Sequence, residues 1–280
     1  MHSNYCTPLA NIFTNTKLHQ AVADIILKHS TNKVGIMDTA LKGLSFDNVE
    51  TALDVGCGFG LFTRSMKGIL KSGTSMLGID RCNGNRLAYL ESCKTADLNG
   101  SFDNSGVDIL KSIAPNTFDL VLCSFALYFF TDYIPQISRV LKPTGTFLVI
   151  THSSNHLCEL FSFFKKAYKK FGFEIPTCLP YEKLINNFND NNGTRLLDPY
   201  FSTIQKKYYH SSLIFDKKDF NDLEKYFQFK QPFYLPGNMD EKNFIFNKII
   251  DGLRQDLTSS KTFNVTKDDI IFRCRKPKVE

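Results

Sequence analysis

One stretch constrains the chain more than any other. Val49-Glu50-Thr51-Ala52-Leu53-Asp54-Val55 reads as a buried strand, runs into Gly56-Cys57-Gly58-Phe59-Gly60, and is followed by an amphipathic segment from Leu61 to Leu70. A strand that turns through closely spaced glycines into a helix opens a βαβ unit. Glycines without Cβ atoms let the turn tighten and bring its backbone N–H groups against a ligand at the strand's carboxyl end. The dinucleotide fingerprint is G-x-G-x-x-G. Here the third glycine, Gly60, comes one residue early, and an acid stands two positions before the first.

The alternation continues. Met76-Leu77-Gly78-Ile79-Asp80 predicts a second strand with an acid at its end, Asn85 to Cys93 a helix, and Phe118 to Cys123 a buried strand. Tyr133 to Leu141 predicts a helix, Pro143-Thr144-Gly145 a turn, and Thr146 to Thr151 another strand. Strands alternating with helices imply a mostly parallel sheet. Residues 95–106 are polar and rich in Gly and Asn, and give no clear pattern. Residues 10–28 carry an apolar stripe expected of one or two N-terminal helices.

Beyond residue 152 the pattern changes. Leu157–Phe171, Lys217–Phe227 and Glu241–Leu257 predict helices, 186–200 a loop, and Phe201–Phe215 and Thr262–Arg273 two strands that pair antiparallel at the sheet edge.

With 280 residues the chain can bury a large core without disulfides or structural metal. Its eight cysteines are scattered, without a CxxC pair or a Cys/His cluster of zinc spacing, so no metal is expected. That usage fits a reducing, cytoplasmic setting. No basic-then-apolar leader opens the sequence, and no apolar run is long enough for a membrane span. The net charge of +6 gathers in residues 151–280, with 21 Lys/Arg against 16 Asp/Glu. These lysines come as scattered pairs such as Lys165-Lys166 and Lys217-Lys218. That is the pattern of a solvated surface, and nucleic acid is not the expected partner.

Asp80 lies 24 residues after Gly56, where an acid accepts two hydrogen bonds from a ribose diol. Together with Leu53–Gly60, Gly78-Ile79-Asp80, Asn116-Thr117-Phe118-Asp119-Leu120-Val121 and Arg139-Val140-Leu141-Lys142-Pro143-Thr144-Gly145, the chain resembles a class I S-adenosylmethionine (SAM)-dependent methyltransferase over roughly residues 45–152. The resemblance implies a Rossmann-like α/β fold: a seven-stranded, mostly parallel sheet with helices on both faces, an antiparallel last strand and a helical lid. It implies N-terminal helices over the SAM site in 1–45, the SAM-binding core in 46–152, and lid helices plus the last two strands in 153–280.

The resemblance also assigns roles. Asp54, Gly56, Cys57, Gly58 and Gly60 would surround the amino-acid part of SAM, Asp80 would hold the ribose, and Arg81, Asp108 and Ile109 would meet the adenine. Cys123, Ser124 and Phe125 would pass beneath the methionine moiety. The sequence departs from the family pattern at Thr144, which stands for the first glycine of the usual Pro-Gly-Gly turn, and in the weakly apolar strand before Asp108.

Methyl transfer from a sulfonium needs alignment, and a base only where the acceptor arrives protonated. His152 and Tyr128 are the catalytic candidates, and Tyr5 and Phe13 are candidates to close over SAM. An aromatic-rich insert (Tyr181, Phe188, Tyr200, Tyr208, Tyr209, Phe227, Phe233) fits a planar or apolar small molecule methylated on O or N, leaving S-adenosylhomocysteine. The alternatives are an RNA or protein methyltransferase using the basic C-terminal half, a non-catalytic SAM-fold binding module, and a nicotinamide dehydrogenase, which the position of Gly60 disfavours. The acceptor and the oligomeric state are open at this stage.

Overall fold

The computed structural model describes residues 16–278 apart from 171, 173, 175, 176, 235–238, 260 and 261. Its strands are β1 (Thr51–Val55), β2 (Ser75–Ile79), β3 (Asn99–Asp103), β4 (Phe118–Ser124), β5 (Leu141–His152), β6 (Phe201–Tyr209), β7 (Ser212–Asp216), β8 (Thr262–Thr266) and β9 (Asp269–Pro277). Two compact units share the chain. One takes the described residues of 34–154, 187–209 and 269–280, the other those of 1–33, 155–186 and 210–268.

The first unit is built on a seven-stranded sheet of order β3-β2-β1-β4-β5-β9-β6. β1 to β5 pair in parallel, and β9 runs antiparallel to both β5 and β6. The central strands are near-continuous apolar runs because helices cover both faces of a parallel sheet. Leu53, Val55, Leu120 to Cys123 and Phe147 to Ile150 are all fully buried. Each such side chain stabilises the fold by roughly 1.5–3 kcal/mol. β3 lies at one edge, half-buried and polar, which is why residues 95–106 showed no apolar run. β6 forms the other edge and carries exposed Lys206 and Lys207, charges that blunt an open edge.

Several elements differ from expectation. Only Leu61–Arg64 of the Leu61–Leu70 segment is α-helical, and turns follow. Pro143-Thr144-Gly145 lies inside β5 as a bulge: Phe118 pairs with Leu141, but Leu120 pairs with Thr146. The Asn-rich 186–200 segment holds a short helix, Gly193–Leu197. The two expected C-terminal strands each break in two. Tyr209 ends β6 and Asp269 begins β9, whereas β7 and β8 pair with each other in a separate two-stranded sheet.

That small sheet belongs to the second unit, with the helices Thr16–His29, Cys158–Lys170, Phe220–Tyr234 and Met239–Ser259 and most of Pro180–Asn187. Leu213, Phe215, Phe164, Tyr226 and Phe227 are buried in its core. The phenyl rings of Phe164 and Phe227 stack at 5.9 Å. Of the insert's aromatics, Tyr181 and Phe227 are packed in this core, whereas Phe188, Tyr200, Tyr208 and Tyr209 belong to the sheet unit. Tyr5 and Phe13 lie outside the described residues, as does the side chain of Phe233. Among the described residues no helix is long and apolar enough to cross a membrane.

Candidate active site

In an open parallel sheet, ligands bind beyond the carboxyl ends of the strands, where the strand order reverses. Here the order reverses between β1 and β4. Along that edge the chain presents Asp103, Asp80, the glycine loop, Phe125, His152 and then Asp269, which opens the antiparallel β9. Loop and His152 are two strand spacings apart, about 10 Å at a 4.8 Å repeat.

Gly56, Gly58 and Gly60 all adopt positive φ (70°, 52° and 76°), a region that side chains rarely occupy. A Cβ on Gly56 would sit 2.5 Å from the Cβ of Ala126, so the β1 and β4 loops touch backbone to side chain at this point. A Cβ on Gly58 would meet nothing within 4 Å, so this glycine borders open space. Gly56 and Cys57 donate their N–H groups to Ile79 O at 2.8 and 3.1 Å, which ties the loop to the end of β2. Cys57 is buried, and burial holds its thiol protonated.

Asp54 is buried under the loop. Thr63 donates to its Oδ2 at 2.7 Å, and its Oδ1 is buried with no partner among the described residues. Burial, partly offset by the Thr63 bond and reinforced by the Asp80 charge, raises its carboxyl to about 7. Asp80 accepts the N–H of Gly58 at 2.9 Å and of Cys82 at 2.7 Å. Burial nonetheless raises its pKa, against those two bonds and one from the Asn85 side chain.

The structure brings Arg81 and Asp108 together, with Arg81 Nη2 at 3.6 Å from Asp108 Oδ2. Asp108 is exposed in the 3-10 turn Gly106–Ser112, with Ile109 half-buried beside it. It also takes Lys111 at 2.8 Å and the hydroxyl of Tyr133. The Lys111 bond, then the Tyr133 bond, hold its carboxyl below the usual range.

At the end of β4, Cys123 is fully buried and its thiol is pushed up by burial, whereas Ser124 and Phe125 are half-buried. Phe125 has φ 52°, which turns the chain sharply out of the strand. Its ring stacks on the imidazole of His152 at 4.8 Å and 28°. Tyr128, in the 3-10 turn Leu127–Phe129, lies 5.9 Å from the same imidazole at 21°, and burial raises its phenol. His152 Nδ1 is 2.7 Å from Oδ1 of Asp269, which is fully buried.

Sequence reasoning missed Asp269, Thr63, Asn85 and Tyr133. Thr63 and Asn85 carry no motif. Asp269 has one signal: it opens an otherwise apolar strand, Ile270-Ile271-Phe272, where a buried acid needs a partner.

Residues 53–149 match the family model described as a methyltransferase domain. The fold is similar to that of a Bacillus halodurans protein assigned as a methyltransferase, with TM-score 0.55, 13% identity, and coverage of 87% of this chain and 99% of that one. The YcgJ protein of Bacillus subtilis gives TM-score 0.54 at 13% identity, covering 94% and 99%. The [4+2]-cyclase SpnF gives 0.55 at 14%, covering 95% and 93%. No match was found among curated protein sequences. Fold, glycine loop and strand-end acids define a class I, SAM-binding α/β protein. Residues 53–149 carry a SAM-dependent methyltransferase domain of that class.

The site suits SAM on two structural grounds. The orphaned Oδ1 of Asp54 leaves an acceptor beneath the loop, and the space over Gly58 is the room that a close-lying ligand requires.

Proposed function

We propose that this enzyme methylates an oxygen or nitrogen atom of a small-molecule acceptor in the cytoplasm. The observation that carries the reading is His152 at the carboxyl end of β5, held flat against Phe125 on the edge that also bears the glycine loop. SAM supplies an activated methyl group. In this reading Gly56, Cys57, Gly58, Gly60 and Asp54 hold its amino-acid end, Asp80 the ribose hydroxyls, and Arg81, Asp108 and Ile109 the adenine. Cys123 supports the β4 end from within the sheet, and Ser124 and Phe125 face the reacting end. His152 takes the acceptor's proton, and Tyr128 flanks it.

Aromatic walls at His152 favour a planar acceptor. Several lysines are already paired with acids, among them Lys142 with Asp119 at 2.9 Å and Lys165 with Glu182 at 2.7 Å, which favours a small molecule over RNA. The segments outside the sheet core, within 1–45 and 153–260, select the acceptor.

The test is release of S-adenosylhomocysteine from SAM against a panel of phenols, alcohols, amines, nitrogen heterocycles, bulk tRNA and a protein extract. Turnover on a small molecule, abolished in Asp80→Ala, is expected. Turnover on RNA or protein alone would sink the acceptor class. Absence of SAM binding by calorimetry would sink the cofactor site.

A further inference from the structure

We infer that Asp269 is a positioning residue that fixes the tautomer of His152, so that the enzyme's acceptor is a hydroxyl group. This rests on the reading of His152 as the base.

Three observations converge. His152 and Asp269 face each other in the antiparallel register of β5 and β9. Asp269 is fully buried, with Oδ1 at 2.7 Å from Nδ1. The imidazole lies near-parallel to Phe125 on 4.8 Å and to Tyr128 on 5.9 Å centroid spacings, which hold the plane of the ring. An ionised carboxylate only accepts hydrogen bonds, so the nitrogen facing it carries the hydrogen. With Nδ1 protonated in the neutral ring, the lone pair is on Nε2. A base oriented by a third, buried group is the arrangement that activates oxygen nucleophiles. Among the groups that bear on this acid are His152, Tyr128 and Tyr209. Tyr209 pairs with Asp269 from β6 and donates its hydroxyl to Val34 O at 2.6 Å.

The chemistry selects the acceptor. An amine with a lone pair attacks without prior proton removal, whereas a neutral hydroxyl is a poor nucleophile until its proton leaves. In the balanced step the O–H proton passes to Nε2, the oxygen forms the new bond to the methyl carbon, and the carbon–sulfur pair stays on sulfur. The sulfonium charge ends on the imidazolium, which Asp269 stabilises. Asp269 touches no reacting atom.

Nitrogen-15 NMR of histidine-labelled wild-type protein, with S-adenosylhomocysteine as the probe ligand, reads the tautomer directly. The expected spectrum at neutral pH shows Nδ1 protonated and Nε2 unprotonated, with the Nε2–H tautomer gaining in Asp269→Asn. A wild-type Nε2–H tautomer, or an imidazolium at neutral pH, overturns the inference. On a hydroxyl from the acceptor panel, Asp269→Asn is expected to lower kcat by roughly 10²–10⁴-fold. KM and SAM affinity should stay within about threefold, and the histidine limb of the pH–rate profile should be lost. Asp269→Glu should restore part of kcat. An unchanged kcat in Asp269→Asn, with His152→Gln inactive, removes the role of Asp269 and leaves His152 as base. An unchanged kcat in His152→Gln removes the base itself. Methylation of amines but of no hydroxyl in the panel removes the acceptor assignment and leaves the enzyme class intact.

Discussion

Thr63 donates a 2.7 Å hydrogen bond to one oxygen of Asp54, and the other oxygen is buried without a partner among the described residues. A carboxyl raised to about 7 binds its proton more tightly folded than unfolded. Its contribution to stability is therefore fully present below the unfolded value of 3.8 and is lost as pH rises toward 7. Asp54→Asn keeps the Thr63 bond and removes the charge. In urea unfolding of the cofactor-free protein, the variant is expected to gain on the wild type by on the order of 2–4 kcal/mol between pH 4 and pH 8. A constant difference across that range would show that Asp54 does not titrate there.

The glycines of one loop should separate folding from binding. Gly58→Ala places a methyl group in open space at φ 52°, so the strain is about 1–2 kcal/mol of stability. It also puts that methyl where the cofactor is proposed to lie, and SAM affinity should fall at least tenfold. Gly56→Ala brings a Cβ to 2.5 Å from Ala126, and backbone must move. It should lose roughly 2–4 kcal/mol of stability in thermal or urea unfolding. If both variants lose stability equally and keep SAM affinity, the open space is not the ligand's.

Removing Asp80 should cost binding more than folding. Two charge-assisted hydrogen bonds to a ribose diol contribute roughly 1.5–3 kcal/mol each. Asp80→Ala is expected to weaken SAM by about 100-fold or more in titration calorimetry. Asp80→Asn keeps one acceptor oxygen for the N–H of Gly58 or Cys82 and should fall between the two. Equal affinities in all three proteins would remove Asp80 from the cofactor site.

In the second unit, both nitrogens of His29 meet oxygens: Ile214 O at 3.0 Å and Asp222 Oδ2 at 2.9 Å, a carboxylate also taken by Lys28 at 2.7 Å. The His29 bond, then the Lys28 bond, depress the Asp222 carboxyl below 3.8. A depressed acid contributes stability above its unfolded value and loses it as pH falls through the folded one. Asp222→Ala should therefore lower stability by about 1 kcal/mol at pH 7, a figure reduced for solvent screening. The deficit should shrink in thermal melts as pH falls below 3.8. A deficit that persists at low pH would point to lost packing instead.

The legible parts of this molecule are those whose cause lies within a few residues. The Asp54–Gly60 turn, Asp80 at the end of β2 and the buried Phe118–Cys123 run are local patterns, and the structure has them where they were expected. β3 was illegible because an edge strand needs little apolar surface. The Phe201–Phe215 and Thr262–Arg273 segments each read as one strand, and only tertiary pairing shows that each serves two sheets. His152 was a candidate from its place at the end of β5. Its acid was not, because the pair spans 117 positions and exists only through strand register.

The position of β9 bears on how this protein is made. β9 lies between β5 and β6, yet it follows both in sequence. During synthesis the β5 edge, with Phe147 to Ile150, therefore waits unpaired until more than a hundred further residues have emerged. A nascent chain in that condition presents a sticky apolar edge to its neighbours on the polysome. Ribosomes stalled before Asp269 should yield chains that engage chaperones heavily, and release of the last strand should be the step that frees them.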